Sequence, residues 1–246
     1  MVGYWPACVE KVSDWVYPRV CPGCDQVSDR PGRHLCWDCF SRLELHTESL
    51  CEVCGNPAEG QVAHAFVCGV CKELHPAFAK ARAAGHFRGV LRDQIHQFKY
   101  GQALWLKHDL TDLLHGCLTA HFQPDAVDVV IPVPLHPVRL RERSYNQAAL
   151  LSQELARRID RRCDLRSLVR TRKTQTQTYL DAVHRRINIL GAFDVVQPEW
   201  VAGRCVLLVD DVMTTGATLH AAAAPLRAAG VGHITALVLA RTPEKG

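Results

Sequence analysis

Val206-Leu-Leu-Val-Asp210-Asp211-Val-Met213-Thr214-Thr215-Gly216-Ala217-Thr218 is the stretch on which the fold turns. The apolar run Cys205–Val209 predicts a buried strand. Two adjacent carboxylates follow, then a short turn carrying hydroxyls and a glycine. Ala217 to Ala229 continues as a helix, closed by Gly230 at its C-terminal cap. In open α/β sheets ligands bind beyond the carboxyl ends of the strands. Free N–H groups at the start of the following helix hold a phosphate. Thr214, Thr215 and Thr218 add hydroxyl donors there, and Gly216 allows close backbone approach. Asp210 and Asp211 repel that phosphate and suit the hydroxyls of a neighbouring sugar. The stretch therefore reads as a site for a phosphorylated sugar, oriented as one unit.

Outward from this core, Ile234–Leu239 and Val127–Val133 read as further buried strands, Phe193–Val196 as a shorter one, and Leu165–Arg170 as another. Helical periodicity marks a segment around Val90, Leu91, Ile95 and Phe98, a stronger one from Leu104 to Leu118, and a third from Asn146 to Ile159. Continuous apolar strands alternating with helices predict an α/β domain, a parallel sheet flanked by helices. Residues 9–17 suit a short amphipathic helix. Thr171–Thr178, rich in Thr and Gln, reads as a loop.

Before residue 77 the chain changes character. Residues 21–72 hold four CxxC pairs: Cys21/Cys24, Cys36/Cys39, Cys51/Cys54 and Cys68/Cys71. Each CxxC turn aims two thiolates at one point, and two turns complete a tetrahedral zinc site. The sequential reading gives two closed, structural sites, Cys21/Cys24/Cys36/Cys39 and Cys51/Cys54/Cys68/Cys71. A crossed arrangement, with the first and third pairs sharing a metal, stays open. The expected division is a double zinc-ribbon module with an N-terminal helix at 1–76 and the α/β domain at 77–246.

In a reducing compartment twelve cysteines, eight of them in these pairs, argue for metal rather than disulfides. No apolar run approaches the roughly 20 residues of a membrane span, and residues 1–10 carry no signal-peptide pattern. A cytoplasmic location is expected. Charge is uneven: residues 1–76 carry net −4 and residues 77–246 net +8, with 11 basic against 4 acidic residues over 137–173. A basic stretch of this kind suggests an anionic partner, phosphate or nucleic acid. The acidic zinc module is a poor DNA reader and suits packing or partner docking.

The strand, acid pair, Thr/Gly turn and helix resemble, position by position, the motif with which type I phosphoribosyltransferases bind phosphoribosyl pyrophosphate (PRPP). Together with the cysteines, further segments resemble the ComF family of competence proteins: Gln97-Phe-Lys99-Tyr-Gly101, Pro132-Val-Pro134-Leu-His136, Arg143-Ser-Tyr-Asn146-Gln147, the run Arg170–Gln177, Arg185 with Asn188, and Gly191-Ala-Phe193. The resemblance covers nearly the whole chain. It implies that Asp210 and Asp211 contact ribose hydroxyls and that Met213, Thr214, Thr215, Gly216, Ala217 and Thr218 cradle the 5′-phosphate. Magnesium would accompany PRPP. Val133, Pro134 and Arg143, with Arg139 and Arg141, would form the diphosphate loop, where arginines stabilise the leaving group electrostatically. Residues 171–178, with Arg172 and Lys173 as the candidate catalytic side chains, would be the loop that excludes water. The sequence departs from the family at Ser144, commonly glycine there, and in lacking a proline before Gln177.

The resemblance implies a bacterial protein tied to DNA uptake or nucleotide metabolism, and two functional readings follow. One is a phosphoribosyltransferase with an unidentified acceptor; residues 84–100, the candidate hood, show no aromatic pair or acid that selects a base. The other is a protein that binds PRPP or a nucleotide and acts on single-stranded DNA or a competence-machinery protein. For Arg157, Arg158, Arg161, Arg162 and Arg166, a solvated helix face is favoured over a DNA track.

Overall fold

The computed structural model describes residues 18–58, 60, 64–172 and 189–242. The helix expected at 9–17, residues 173–178 of the expected loop, Lys173 among them, Arg185 and Asn188 lie outside these. In chain order the described elements are α1 (Trp37–Ser41), α2 (Gly69–Leu74), β1 (Lys80–His86), α3 (Gly89–Tyr100), α4 (Lys107–His121), β2 (Val129–Pro132), α5 (Pro137–Arg143), α6 (Gln147–Arg158), β3 (Arg162–Cys163), β4 (Leu168–Arg170), β5 (Phe193–Val195), α7 (Pro198–Val201), β6 (Cys205–Met213), α8 (Ala217–Ala228) and β7 (His233–Arg241).

Five strands form one parallel sheet in the order β1-β7-β6-β2-β3, while β4 and β5 make an antiparallel pair. The period-2 alternation of β6 divides the core. Val206 and Leu208 pack on one face with α8 residues Ala222, Ala223 and Leu226. Leu207 and Val209 pack on the other with Leu91, Ile95 and Phe98 of α3, Leu114 of α4 and Leu151 of α6. Each face buries apolar area at roughly 25 cal/mol per Å², so neither helical layer can be removed without exposing half of the sheet.

Three expectations change. Strand β6 does not stop at Val209. It continues through the acid pair to Met213, because β7 supplies backbone partners as far as Val212↔Ala240 and Met213↔Arg241. The basic segment after β2 is helical rather than a loop: Pro137 occupies the first turn and His136 Nδ1 accepts from the Val138 amide at 3.3 Å. Lys80-Ala-Arg-Ala-Ala-Gly-His86 had no strand signature, yet forms the edge strand β1.

The cysteine-rich region is built into this sheet. Outer-edge groups of β1 pair with it: Ala81 N donates to Val53 O at 2.7 Å and His86 N to Glu44 O at 2.8 Å. An exposed strand edge is thereby covered. Cys21, Cys36 and Cys39 join the core on the α3/α4/α6 face, whereas Cys51, Cys54 and Cys71 join it on the α8 face. Gly85 is required where the module crosses β1, since a Cβ there would lie 2.6 Å from Glu44 O.

Candidate functional site

The eight thiols gather into two groups, Cys21/Cys24/Cys36/Cys39 and Cys51/Cys54/Cys68/Cys71, which resolves the pairing as sequential. Sγ atoms of Cys24 and Cys36 are 3.7 Å apart, as are those of Cys54 and Cys68. A tetrahedron with Zn–S bonds of about 2.3 Å requires about 3.8 Å, so the thiols fit zinc. In each site the second knuckle opens a helix, with the Cys36 thiol capping α1 and Cys68 standing at the N-cap position of α2. Cationic groups surround what would be doubly negative centres. Arg42 Nη2 lies 2.9 Å from Cys39 Sγ. Buried Arg82 donates to Cys51 O and Glu52 O, each at 3.2 Å, and buried Arg241 donates to Cys54 O at 3.0 Å. The first site is anchored to α4, where the buried carboxylate of Asp109 accepts from the His34 and Leu35 amides at 3.1 and 3.2 Å and from Arg30 at 3.4 Å.

At the carboxyl end of β6, Asp210 and Asp211 stand side by side, the Asp211 amide donating to Asp210 Oδ1 at 2.9 Å. Burial, reinforced by the negative charge of Asp211, pushes the Asp210 carboxyl up to about 7. Asp211 instead holds an ion pair: Lys99 Nζ lies 2.8 Å from its Oδ1, both side chains largely buried. Beyond Met213 the chain turns through exposed Thr214, half-buried Thr215 and Gly216 into α8. Gly216 sits at φ +75°, a left-handed conformation that glycine adopts without penalty. Thr215 Oγ accepts from the Ala217 amide at 3.3 Å, so this hydroxyl caps the helix. Ala217 is buried and Thr218 half-buried at its first turn.

Strand β2 runs beside β6 and brings Val133 and Pro134 next to the acid pair, Val133 N donating to Val209 O at 2.9 Å. From there α5 carries its arginines outward. Arg139 pairs with Glu142 at 3.1 Å and Arg141 is exposed. Arg143 donates to Tyr100 Oη at 3.1 Å and to Gln147 Oε1 at 3.4 Å. Ser144 ends α5 at φ +67°, the conformation in which a glycine would be unstrained. The Arg143–Gln147 segment clamps the end of α3: Tyr145 Oη donates to Phe98 O, Gln147 Nε2 to Lys99 O at 3.3 Å, and Asn146 Nδ2 to Val133 O at 3.1 Å. Arg172, two residues beyond β4, donates to Leu190 O at 2.6 Å.

Two residues at the site carried no assigned role in the sequence reading. Lys99 reaches Asp211 from the end of α3, and Arg170, half-buried at the end of β4, lies within the field of Asp210. Both belong to segments that resemble the family, which was the available signal. The arginine run after residue 156 is engaged by neighbours. Arg157 and Arg158 pair with Glu154 at 2.8 and 3.2 Å, and Arg158 also reaches Asp112 at 2.7 Å. Arg161 pairs with Asp125 at 3.1 Å, and Arg162 lies over the Trp200 ring at 5.0 Å.

Comparison with known proteins agrees with both halves. A double zinc ribbon domain model matches residues 12–72 and a phosphoribosyl transferase domain model matches residues 146–246. The chain is 35% identical to competence protein F of Haemophilus influenzae, covering 84% of this chain and 90% of that one. It is 32% identical to the DNA utilization protein YhgH of Escherichia coli strain K12 (85% and 97%) and 28% identical to competence protein ComFC of Bacillus subtilis (79% and 78%). With two zinc-ribbon cysteine sites joined to a phosphoribosyltransferase-type sheet, and with relatives this similar over nearly their full length, the chain belongs to the ComF/YhgH family of competence-related proteins.

Proposed function

We propose that the carboxyl end of β6 binds PRPP with Mg²⁺, and that this ligand serves a role in handling DNA during uptake. The observation that carries the reading is the sequence of groups along one turn: the acid pair, the Thr214/Thr215 hydroxyls and the positive-φ Gly216 leading into the first turn of α8. Asp210 and Asp211 would take the ribose hydroxyls and the ion, and the Met213–Thr218 turn the 5′-phosphate. Val133, Pro134 and the Arg143 segment would face the diphosphate. Lys99 holds Oδ1 of Asp211, so the ion would take the other carboxylate oxygen. Arg172 and Lys173 would belong to the loop that covers the ligand.

The link to DNA uptake rests on the relatives' names, competence protein and DNA utilization protein. Action through a competence-machinery protein is favoured over a single-stranded DNA track on the arginine run, since those arginines already hold carboxylates, a carbonyl or an aromatic ring. No helix among the described residues is long and apolar enough to cross a membrane. The same reading divides the chain at 76/77 by chemistry, metal on one side and phosphoribosyl ligand on the other.

Calorimetric titration of the full chain with PRPP in Mg²⁺ tests the reading. Binding to the wild type and its loss in Asp210→Asn/Asp211→Asn is the expected result; equal affinity in the double variant removes the acid pair from the site. Turnover of PRPP with a panel of bases then separates transfer from binding alone.

A further inference from the structure

Away from both the thiols and the acid pair, the loop between the two ribbons meets the end of β1. There His46, Glu48 and His86 place one potential ligand atom each within 4.8 Å of one another. Glu48 Oε1 is 2.8 Å from His46 Nδ1 and 3.0 Å from His86 Nε2, and the two rings lie 4.2 Å apart, tilted at 56°. The arrangement is imposed by backbone. Leu45 bridges Gly85, and His86 N donates to Glu44 O at 2.8 Å, so residues 44–48 are fixed against the strand that carries His86. The other carboxylate oxygen is held by the Thr47 amide at 2.8 Å, which leaves Oε1 turned toward both rings.

We propose that His46, Glu48 and His86 form a third metal site, taking a zinc-class divalent cation with its fourth position open to solvent. Two imidazoles and one carboxylate are a common three-ligand set for such an ion. Bonds of about 2.0–2.2 Å demand ligand atoms roughly 3.3–3.5 Å apart in a tetrahedron. The observed 2.8 and 3.0 Å separations and the 4.8 Å outer limit bracket that spacing.

Without a metal each ring turns an N–H toward Glu48, since a carboxylate only accepts. A bound cation would take the inward nitrogens as lone pairs and leave the ring protons on His46 Nε2 and His86 Nδ1, which are buried without a hydrogen-bond partner. The His46 side chain is 1% exposed, His86 13% and Glu48 31%, so the ion would enter from the Glu48 side. Such an ion would pin the inter-ribbon loop to the sheet.

The test is zinc stoichiometry on the full-length chain with both ribbons filled. A weak chelator should strip the three-ligand site and leave the four-thiolate sites loaded. Back-titration with zinc against a chromophoric competitor should then show one further equivalent. His86→Gln and Glu48→Gln should each weaken that equivalent at least about tenfold, with unchanged thermal melting as the check on folding. Should His86→Gln fail to fold, Glu48→Gln decides, being isosteric and partly exposed. Cobalt gives an independent readout: the further equivalent should add absorption bands without thiolate charge transfer. Saturation of the wild type at two ions, retention of the third in a folded Glu48→Gln variant, or thiolate charge transfer from the third cobalt would each overturn the proposal.

Discussion

Asp210→Asn should stabilise the unliganded protein while removing its ligand. Folding lifts the Asp210 carboxyl from 3.8 to about 7, through burial first and the Asp211 charge second. Between about pH 4 and about pH 7 the folded chain therefore holds a proton that the unfolded chain has lost, and stability falls as pH rises through that window. Each unit is worth about 1.4 kcal/mol, so the full cost above the folded pKa is about 4 kcal/mol. That is an upper limit, because the Asp210 side chain keeps some accessible surface. Asparagine carries no charge to desolvate, and its Oδ1 can still accept from the Asp211 amide. The variant should exceed wild type by up to about 4 kcal/mol near pH 8, by less than about 2 kcal/mol near pH 5, and by nothing below about pH 4. Denaturant unfolding of metal-loaded protein across this range measures the difference, and calorimetry with PRPP and Mg²⁺ measures the function lost. A variant less stable than wild type near pH 8, or a difference that does not change with pH, would refute the argument. It would mean that Asp210 is solvated or paired in the folded state.

Zinc retained after exhaustive dialysis should amount to two ions per chain, and Cys21→Ser/Cys24→Ser should retain one and lose the fold of the first ribbon, because structural zinc binding is folding free energy; metal analysis with circular dichroism checks both. Asp109→Ala strands the His34 and Leu35 amides and buried Arg30, so unfolding free energy should drop by about 3–5 kcal/mol. A loss below about 1 kcal/mol would show that the first ribbon does not lean on α4. Gly216→Ala meets only an ordinary 3.6 Å contact with Met213 Sδ, so its stability cost should be the positive φ alone, about 1–2 kcal/mol, while PRPP affinity falls; an unchanged melt would mean that the turn relaxes. Replacing Arg157, Arg158, Arg161 and Arg162 by glutamine should leave the salt dependence of single-stranded DNA binding nearly unchanged from wild type. A drop of about 0.7 in the log–log slope per arginine would instead identify a track of phosphate contacts.

Much of this protein was legible in its sequence because the signals are local. Cys205–Val209, Ile234–Leu239 and Val127–Val133 are short, largely apolar, β-branched-rich runs of strand length, and the helices over 107–121, 147–158 and 217–228 declare themselves by period. The CxxC spacing states its own chemistry, and the acid pair and turn need only the strand and helix on either side of them. What escaped depends on neighbours distant in sequence. Lys80–His86 is a strand because β7 on one side and the Val53 and Glu44 carbonyls on the other satisfy its backbone; its small and charged side chains carry no strand preference of their own. Sequential rather than crossed zinc pairing is a matter of which knuckles the chain folds together. The extension of β6 through Asp210 and Asp211 follows from the length of β7, and the pairing of Lys99 with Asp211 from the clamp that Tyr145 and Gln147 place on the end of α3. The His46, Glu48 and His86 cluster exists only where the inter-ribbon loop crosses β1. Residue types and spacings set which chemistry each segment can carry; long-range backbone pairing decides which of those segments meet, since contacts between residues far apart in the chain leave no periodic trace within either one.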